Sequence, residues 1–92
     1  MVKVGKYNYE LSTAKGKKLM TVGPNGKIIH FGQKGYEHFF DKTKLLPESL
    51  NHKDPERKKS YRSRTAKITN KDGSLTATDP NSANYHARAV LW

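Results

Sequence analysis

The fold is decided by residues 19–31, Leu-Met-Thr-Val-Gly-Pro-Asn-Gly-Lys-Ile-Ile-His-Phe. Two short runs that contain apolar and β-branched residues, 19–22 and 27–31, flank a turn-forming segment. Asn25 and Gly26 can supply the positive φ angles that a tight hairpin turn needs. The stretch therefore predicts two antiparallel strands that are joined by a short turn.

The residues before this hairpin predict a further strand. Tyr7, Tyr9 and Leu11 alternate with polar residues, which is the period-two pattern of a half-buried strand. A polar break at residues 15–17 separates this strand from the hairpin. We therefore expect a three-stranded antiparallel meander over about residues 6–31, and such a sheet needs a second layer packed on its apolar face.

A first helix is predicted over about residues 54–67. Asp54 can cap this helix, Pro55 suits the first helical position, and Glu56 favours the positive end of the helix dipole. The apolar content of the segment is small, and Tyr61 is the main residue expected to pack on the rest of the protein.

A second helix is predicted over about residues 80–91, because an Asp-Pro pair at positions 79–80 repeats the cap-then-proline pattern. Its expected apolar stripe consists of Tyr85, Ala89 and Trp92, with Val90 and Leu91 beside it. The chain ends on an apolar tripeptide at residues 90–92, which we expect to be docked because an exposed apolar end promotes association. Leu91 and Trp92 are therefore candidate protein-contact residues, buried against the sheet or in a neighbouring subunit.

The segment between the sheet and the first helix is expected to form a loop. Leu46 precedes Pro47, which disfavours helix at that position, and the leucines of the loop should pack on the core. With the sheet and the two helices, this predicts an α+β fold in a single small domain over residues 1–92.

The composition favours a polyanionic partner. Lysine and arginine number 18 against 8 aspartates and glutamates, so the formal net charge is +10. Cysteine is absent, which excludes disulfides, thiol nucleophiles and cysteine-ligated metal sites. No apolar run approaches the ~20 residues of a membrane span, and the N-terminus lacks the apolar stretch of a signal peptide.

The sequence gives little indication of catalysis or of a cofactor. The histidines at 30, 38, 52 and 86 do not follow the usual spacings of metal ligands. No nucleophile elbow is present, and the glycines form no phosphate-cradling loop of the nucleotide-binding kinds. We therefore expect a protein that is not an enzyme, without metal or cofactor.

The first predicted helix carries the strongest signal, because residues 51–71 hold eight basic and two acidic side chains. Like charges at positions 58 and 62 repel each other on one helix face, and a polyanion would relieve that repulsion. The expected partner is nucleic acid or an acidic protein surface; the alternative is a solvated face that only maintains solubility. The candidate binding residues are Lys53, Arg57, Lys58, Lys59, Arg62, Arg64 and Lys67.

The nine aromatic residues admit two interpretations. They could include a stacking platform for single strands, but in so small a chain we expect most of them in the core. No zinc-finger, helix-turn-helix or RNA-binding aromatic signature is present, so sequence-specific reading of bases is not expected.

Several short motifs resemble those of a group of small basic proteins that tailed phages and large DNA viruses encode. The motifs that carry the resemblance are Lys27-Ile28-Ile29-His30-Phe31-Gly32, Gly35-Tyr36, His52-Lys53-Asp54, Arg57-Lys58-Lys59, Tyr61, Arg64 and Leu91-Trp92. Relatives often carry a histidine after the arginine equivalent to Arg64, where this chain has Thr65. The resemblance implies a viral origin and a non-enzymatic accessory role, and it supplies no catalytic residues.

Three functions remain open at this point. The first is nucleic-acid binding without sequence specificity, on the packaged genome or elsewhere. The second is a structural part of the virion, a minor capsid, cement or connector protein that uses the basic face and the apolar C-terminus for protein contacts. The third is an inhibitor of a host protein, which no feature of the sequence specifically supports. The expected location is the host cytoplasm or the virion, without secretion or membrane insertion, and the oligomeric state is left open.

Overall fold

A computed structural model describes all 92 residues, Met1–Trp92. Four antiparallel strands form one sheet in the order β1-β2-β3-β4. After the sheet, a long loop leads to two α-helices. The bounds are β1 Val2–Val4, β2 Tyr7–Leu11, β3 Lys17–Val22, β4 Ile28–Gln33, α1 Pro55–Thr65 and α2 Ala83–Val90, with 3₁₀ turns at Glu48–Leu50 and Thr76–Thr78.

The α+β class and the antiparallel meander are confirmed, but the prediction of three strands is wrong. The added strand, β1, pairs with β2 so that Val2 lies opposite Tyr9 and Val4 opposite Tyr7. Gly5, with a φ of 63°, lies in the tight turn between the two strands. A three-residue strand is too short to display the alternation that identifies a strand from sequence.

The hairpin at residues 19–31 forms with the expected pairing, but its turn differs in detail. Gly26 has a φ of 82°, whereas Asn25 is not among the residues with positive φ. The Gly26 N–H donates to the Gly23 carbonyl at 2.9 Å, and the Gly23 N–H donates to the Lys27 carbonyl at 3.0 Å. A single left-handed glycine therefore closes the turn.

The core lies between one face of the sheet and α2. Its buried members are Tyr9, Leu19, Phe31, Ala87, Val90 and Leu91. Leu45 and Leu46 pack against this cluster from the long loop, as expected. The loop is also bonded to the end of α2, because the N–H groups of Phe39 and Phe40 both donate to the Leu91 carbonyl at 3.1 Å.

Both helices are shorter than predicted. α1 begins as expected, with the Asp54 carboxylate accepting the Glu56 and Arg57 N–H groups, but it ends at Thr65. The prediction of a helix from residue 80 is wrong, because Ser82 caps α2 and the Asp79 carboxylate instead accepts the Asn81 N–H. Neither α-helix combines the length and the apolar character needed to cross a membrane.

The buried face of α2 also differs from the predicted stripe. The fully buried side chains are His86, Ala87 and Val90, whereas Tyr85, Ala89 and Trp92 are only partly buried. His86 enters the core because both ring nitrogens have partners, the Tyr9 hydroxyl at 2.8 Å and the Pro80 carbonyl at 2.7 Å. A hydropathy pattern assigns histidine to the surface. The predicted buried face of α2 is therefore rotated about the helix axis relative to the observed one.

Candidate nucleic-acid interface

The basic residues of α1 surround the helix instead of forming one face. With 100° between successive residues, Tyr61 and buried Thr65 mark the side that packs on the protein. Lys59 and Lys67 are exposed and make no side-chain hydrogen bond or ion pair. Arg64 is also exposed, and its guanidinium lies 5.6 Å from the centre of the Tyr61 ring. These three cations are accessible to a partner.

Two of the predicted binding residues have carboxylate partners. Arg57 Nη1 lies 3.0 Å from Glu37 Oε1, and Lys53 Nζ lies 3.5 Å from Glu48 Oε1. These are the two ion pairs of the molecule. Each pair is about half exposed or more, so each contributes little stability and leaves its cation free to exchange partners.

Lys58 and Arg62 lie on the opposite flank of α1 from Arg57 and Arg64, and both contact the protein. The Lys58 ammonium lies 4.5 Å from the centre of the Phe39 ring. Arg62 Nη1 donates to the Arg88 carbonyl at 3.2 Å. These four candidate binding residues are therefore divided, with Arg57 and Arg64 on one side of α1 and Lys58 and Arg62 on the other.

A groove of about 780 Å³ runs between α1 and the segment that follows β4; we call it the α1 groove. Arg57, Ser60 and Arg64 line its α1 wall, and Gln33 and Tyr36 line the opposite wall. Its size is within the range of small-ligand sites, about 300–1,000 Å³. It is the concave feature that the structure offers beside the basic helix.

Tyr61 and Trp92 also line the α1 groove. Their rings are stacked face to face, with centroids 4.1 Å apart and planes inclined by 8°. The ring centroids of Trp92 and His52 are 5.1 Å apart, and the Arg64 guanidinium lies over the Tyr61 ring. Because these neighbours surround the two rings, the pair forms part of the packing between α1 and the C-terminus.

The groove itself is electrically balanced. Its cations are Lys18, Arg57 and Arg64, and its carboxylates are Glu37, Asp54 and Glu56. Glu37 is paired with Arg57 and Asp54 caps the helix. The positive excess of the protein therefore lies outside the groove, on the surfaces beside it.

A cluster of buried polar side chains fixes the groove wall that lies opposite α1. Asn51 Oδ1 accepts the Asp41 N–H at 3.0 Å, so His38 Nε2 donates to the same oxygen at 2.6 Å. His38 Nδ1 then accepts from the Lys18 ammonium at 3.2 Å, and Lys18 also donates to the Tyr36 carbonyl. The cluster is a set of satisfied hydrogen bonds, which is typical of a structural role.

Charge and burial fix the protonation states in this cluster. Burial, followed by the nearby charge of Lys18, lowers the pKa of His38, so its ring is neutral at physiological pH. Burial also lowers the pKa of the Lys18 ammonium, while Asp41 and Glu37 oppose that change. No group of three or more histidine or acidic side chains lies close enough together to hold a metal ion.

A second group of cations, which the sequence analysis missed, lies at one end of the sheet. We call Lys15, Lys17 and Lys34 the lysine cluster. Lys17 is paired across the strands with Gln33, and the Lys34 N–H donates to the Gly16 carbonyl at 2.9 Å. All three lysines are exposed and none has a carboxylate partner. Residues 15 and 34 are far apart in sequence, so only the hairpin register brings them together.

The two C-terminal residues differ in accessibility. Leu91 is 1% exposed and belongs to the core of its own chain. It is therefore buried within the protein and not in a neighbouring subunit. Trp92 is partly exposed at the α1 groove. Of these two candidate protein-contact residues, only Trp92 presents surface to a partner.

Comparison with known proteins gives one family match. A family model described as a family of unknown function (DUF5754) matches residues 8–44. This segment contains most of β2, all of β3 and β4 and part of the following loop, with the lysine cluster and Tyr36, whereas α1 and α2 lie outside it. No curated protein and no solved structure shows significant similarity to the chain. The match covers less than half of the chain and assigns no activity to it.

Proposed function

We propose that this chain is a small, basic, non-enzymatic viral accessory protein that binds nucleic acid without sequence specificity. One observation supports this proposal above others: of 18 lysines and arginines, only two have a carboxylate within ion-pair distance. The remaining positive charge is not neutralised within the protein. A phosphate backbone neutralises such charge and releases counterions, which is a large favourable term in nucleic-acid binding.

The exposed cations of α1 and the lysine cluster are the expected phosphate contacts. Lys59 on the solvent side of α1, Arg64 at the groove and Lys67 just after the helix are all exposed and have no carboxylate partner. Arg57 can exchange Glu37 for a phosphate, since both side chains are about half exposed. Lys58 and Arg62 contribute less to binding in this proposal because they contact Phe39 and Arg88. A viral setting is suggested only by the resemblance of the short sequence motifs.

Charge reversal on α1 and just after its end tests the proposal. The variant Lys59→Glu/Lys67→Glu should weaken binding to random-sequence DNA by at least tenfold at low salt, because it replaces two attractive contacts with repulsive ones. The matched control is Lys3→Glu/Lys27→Glu, which makes the same change in net charge on β1 and on the β3–β4 turn. Equal affinities of the two double variants would show that α1 has no special part in binding.

A structural role in the virion is the second candidate, and a different surface favours it. Val22 and Ile28 are paired across β3 and β4 and are 54% and 60% exposed. With Met1 they line a hollow of about 220 Å³. Adjacent exposed apolar side chains of this kind are typical of protein contacts. This role predicts that the protein is found by mass spectrometry in purified virions and that Val22→Ser/Ile28→Ser is lost from them.

A further inference from the structure

The loop after β4 presents an exposed aromatic ring at the edge of the α1 groove. Tyr36 is 64% exposed and lines the groove. Its ring lies against no other aromatic ring, and its hydroxyl makes no hydrogen bond within the protein. The other aromatic residues of the groove, Tyr61 and Trp92, are stacked on each other. Tyr36 is therefore the ring of this groove that is open to a partner.

The backbone on both sides of Tyr36 is fixed, although the side chain is free. The Lys34 N–H donates to the Gly16 carbonyl at 2.9 Å, and the His38 N–H donates to the Leu50 carbonyl at 3.1 Å. Between these points, the buried ammonium of Lys18 donates to the Tyr36 carbonyl. The backbone that carries the ring is therefore already ordered, so that only the side-chain torsions of Tyr36 lose freedom when it binds a flat partner.

Two exposed lysines lie outside the groove, close to Tyr36 in the chain or across the strand pair, and an arginine lines the opposite wall of the groove. Lys34 is two residues before Tyr36, and Lys17 is paired with Gln33, which itself lines the groove. Across the groove stands Arg64 on α1. An exposed ring near unpaired cations matches single-stranded nucleic acid, whose bases stack on aromatic side chains while its phosphates follow positive charge. A duplex keeps its bases stacked inside and cannot offer one to the wall of a groove.

We propose that single-stranded nucleic acid binds at the Tyr36 edge of the α1 groove, with a base stacked on Tyr36 and the adjoining phosphates on Lys17 and Lys34, outside the balanced interior of the groove, and on Arg64. This inference rests on the proposed function and goes further by naming the form of nucleic acid and the ring that holds it. It also gives the lysine cluster, which lies away from the predicted basic helix, a part in binding.

The stacking contact is tested by fluorescence anisotropy with a labelled oligothymidine of about 12 nucleotides and with a random-sequence duplex of equal length. Loss of one base–aromatic contact corresponds to about 5- to 150-fold in affinity. Tyr36→Leu should weaken binding of the single strand by such a factor and leave binding of the duplex unchanged. Tyr36→Phe should bind the single strand as the unmodified protein does, because it keeps the ring. An unchanged thermal midpoint confirms that each variant is folded.

The phosphate contacts are tested with variants of equal charge. Lys17→Gln/Lys34→Gln should lower the slope of log affinity against log salt by about 1.4 for the single strand, at ~0.7 per phosphate. Lys3→Gln/Lys27→Gln is the matched control. Lys27 is in the turn at the other end of the same hairpin, roughly 17 Å from Lys17 at ~3.3 Å per residue, and this variant should leave the slope unchanged.

The outcomes separate this inference from the proposed function. If neither the oligothymidine nor the duplex binds at low salt, both proposals are overturned. If both bind, but Tyr36→Leu matches the unmodified protein or the two lysine variants behave alike, only the assignment to a single strand in the α1 groove is overturned. Weakening confined to the single strand in Tyr36→Leu, with recovery in Tyr36→Phe, supports it.

Discussion

Arg62 and Arg88 join the two helices by a reciprocal pair of hydrogen bonds. Arg62 Nη1 donates to the Arg88 carbonyl at 3.2 Å, and Arg88 Nη1 donates to the Arg62 carbonyl at 2.7 Å. Arg88 Nη1 also donates to Thr65 Oγ1 at 2.7 Å. Arg62 is among the residues predicted to bind a polyanion, but its position makes it a contact between α1 and α2.

Replacing Arg88 with alanine should therefore destabilise the protein by about 1.5–3 kcal/mol, because two hydrogen bonds from a charged donor are lost. Arg62→Ala should cost about 1 kcal/mol, since one longer bond is lost. Lys59→Ala, on the solvent side of the same helix, is the control and should change stability by less than about 0.5 kcal/mol. Urea unfolding measures all three, and equal midpoints for Arg88→Ala and Lys59→Ala would refute the structural role.

The two C-terminal side chains should contribute unequally to stability. Leu91→Ala should cost about 2–5 kcal/mol, the range for large-to-small substitutions in a core, because Leu91 is 1% exposed. Trp92→Ala should cost less, since Trp92 is partly exposed and loses mainly its stack on Tyr61. Ile68→Ala is the control, because Ile68 is 47% exposed. A thermal midpoint for Leu91→Ala equal to that of Ile68→Ala would contradict the observed core.

Stability should decrease as the pH falls below about 6.5, and His86 is the main reason. Burial lowers its pKa from the ordinary value of 6.5, although the Pro80 carbonyl favours the charged ring. Burial also raises the pKa of Tyr9 to about 12, so the Tyr9 hydroxyl remains the donor to His86 Nδ1. The folded state thus binds a proton less readily than the unfolded state, and stability present above pH 6.5 is lost on acidification.

Urea unfolding at about pH 7.5 and about pH 5 measures this loss, with each unit of pKa difference contributing about 1.4 kcal/mol. His38 acts in the same direction, because burial and the charge of Lys18 lower its pKa. An NMR titration that follows the ring signals separates the two histidines. Protonation of His86 at or above its ordinary pKa, or a midpoint that does not change with pH, would show that the buried ring is not the sensitive group.

Gly32 should tolerate alanine less well than Gly35. Both have positive φ angles, 74° and 89°, and an alanine in that region costs about 1–2 kcal/mol. At Gly32 a Cβ would also lie 3.1 Å from Leu91 Cδ1 and 3.3 Å from Lys18 Cβ, whereas at Gly35 it would meet nothing within 4 Å. Thermal unfolding should therefore show a larger loss for Gly32→Ala, and equal losses would mean that the close approach to Leu91 is not a constraint.

Local features of the sequence predicted much of the fold. The turn at residues 23–26 and the cap at Asp54 depend on neighbouring residues only, and both form. The buried face of α2 could not be predicted because His86 depends on Tyr9, which is 77 residues away. Strand β1 was missed because three residues carry too little of the alternating pattern.

In the candidate site, too, local features could be predicted from the sequence and long-range contacts could not. The richness of α1 in basic residues is visible in the sequence, but the role of Arg62 depends on a backbone carbonyl 26 residues away. The lysine cluster depends on the register between β3 and β4. Tyr36 was counted among the aromatics expected mostly in the core, and the structure leaves it 64% exposed. Composition and residue spacing therefore could not predict the contacts between residues that are distant in the sequence.

The salt dependence of DNA binding by the unmodified protein shows whether its unpaired cations bind phosphates. Affinity for random-sequence DNA, single-stranded and duplex, is measured by anisotropy from about 50 to about 200 mM salt. If the unpaired cations meet phosphates, log affinity should fall linearly with log salt, with a slope of about −0.7 per phosphate for single strands and −0.9 for duplex. Three or more contacts predict a slope steeper than about −2. Absence of binding at about 50 mM salt, or an affinity that does not change with salt, would mean that the unpaired cations do not bind phosphates.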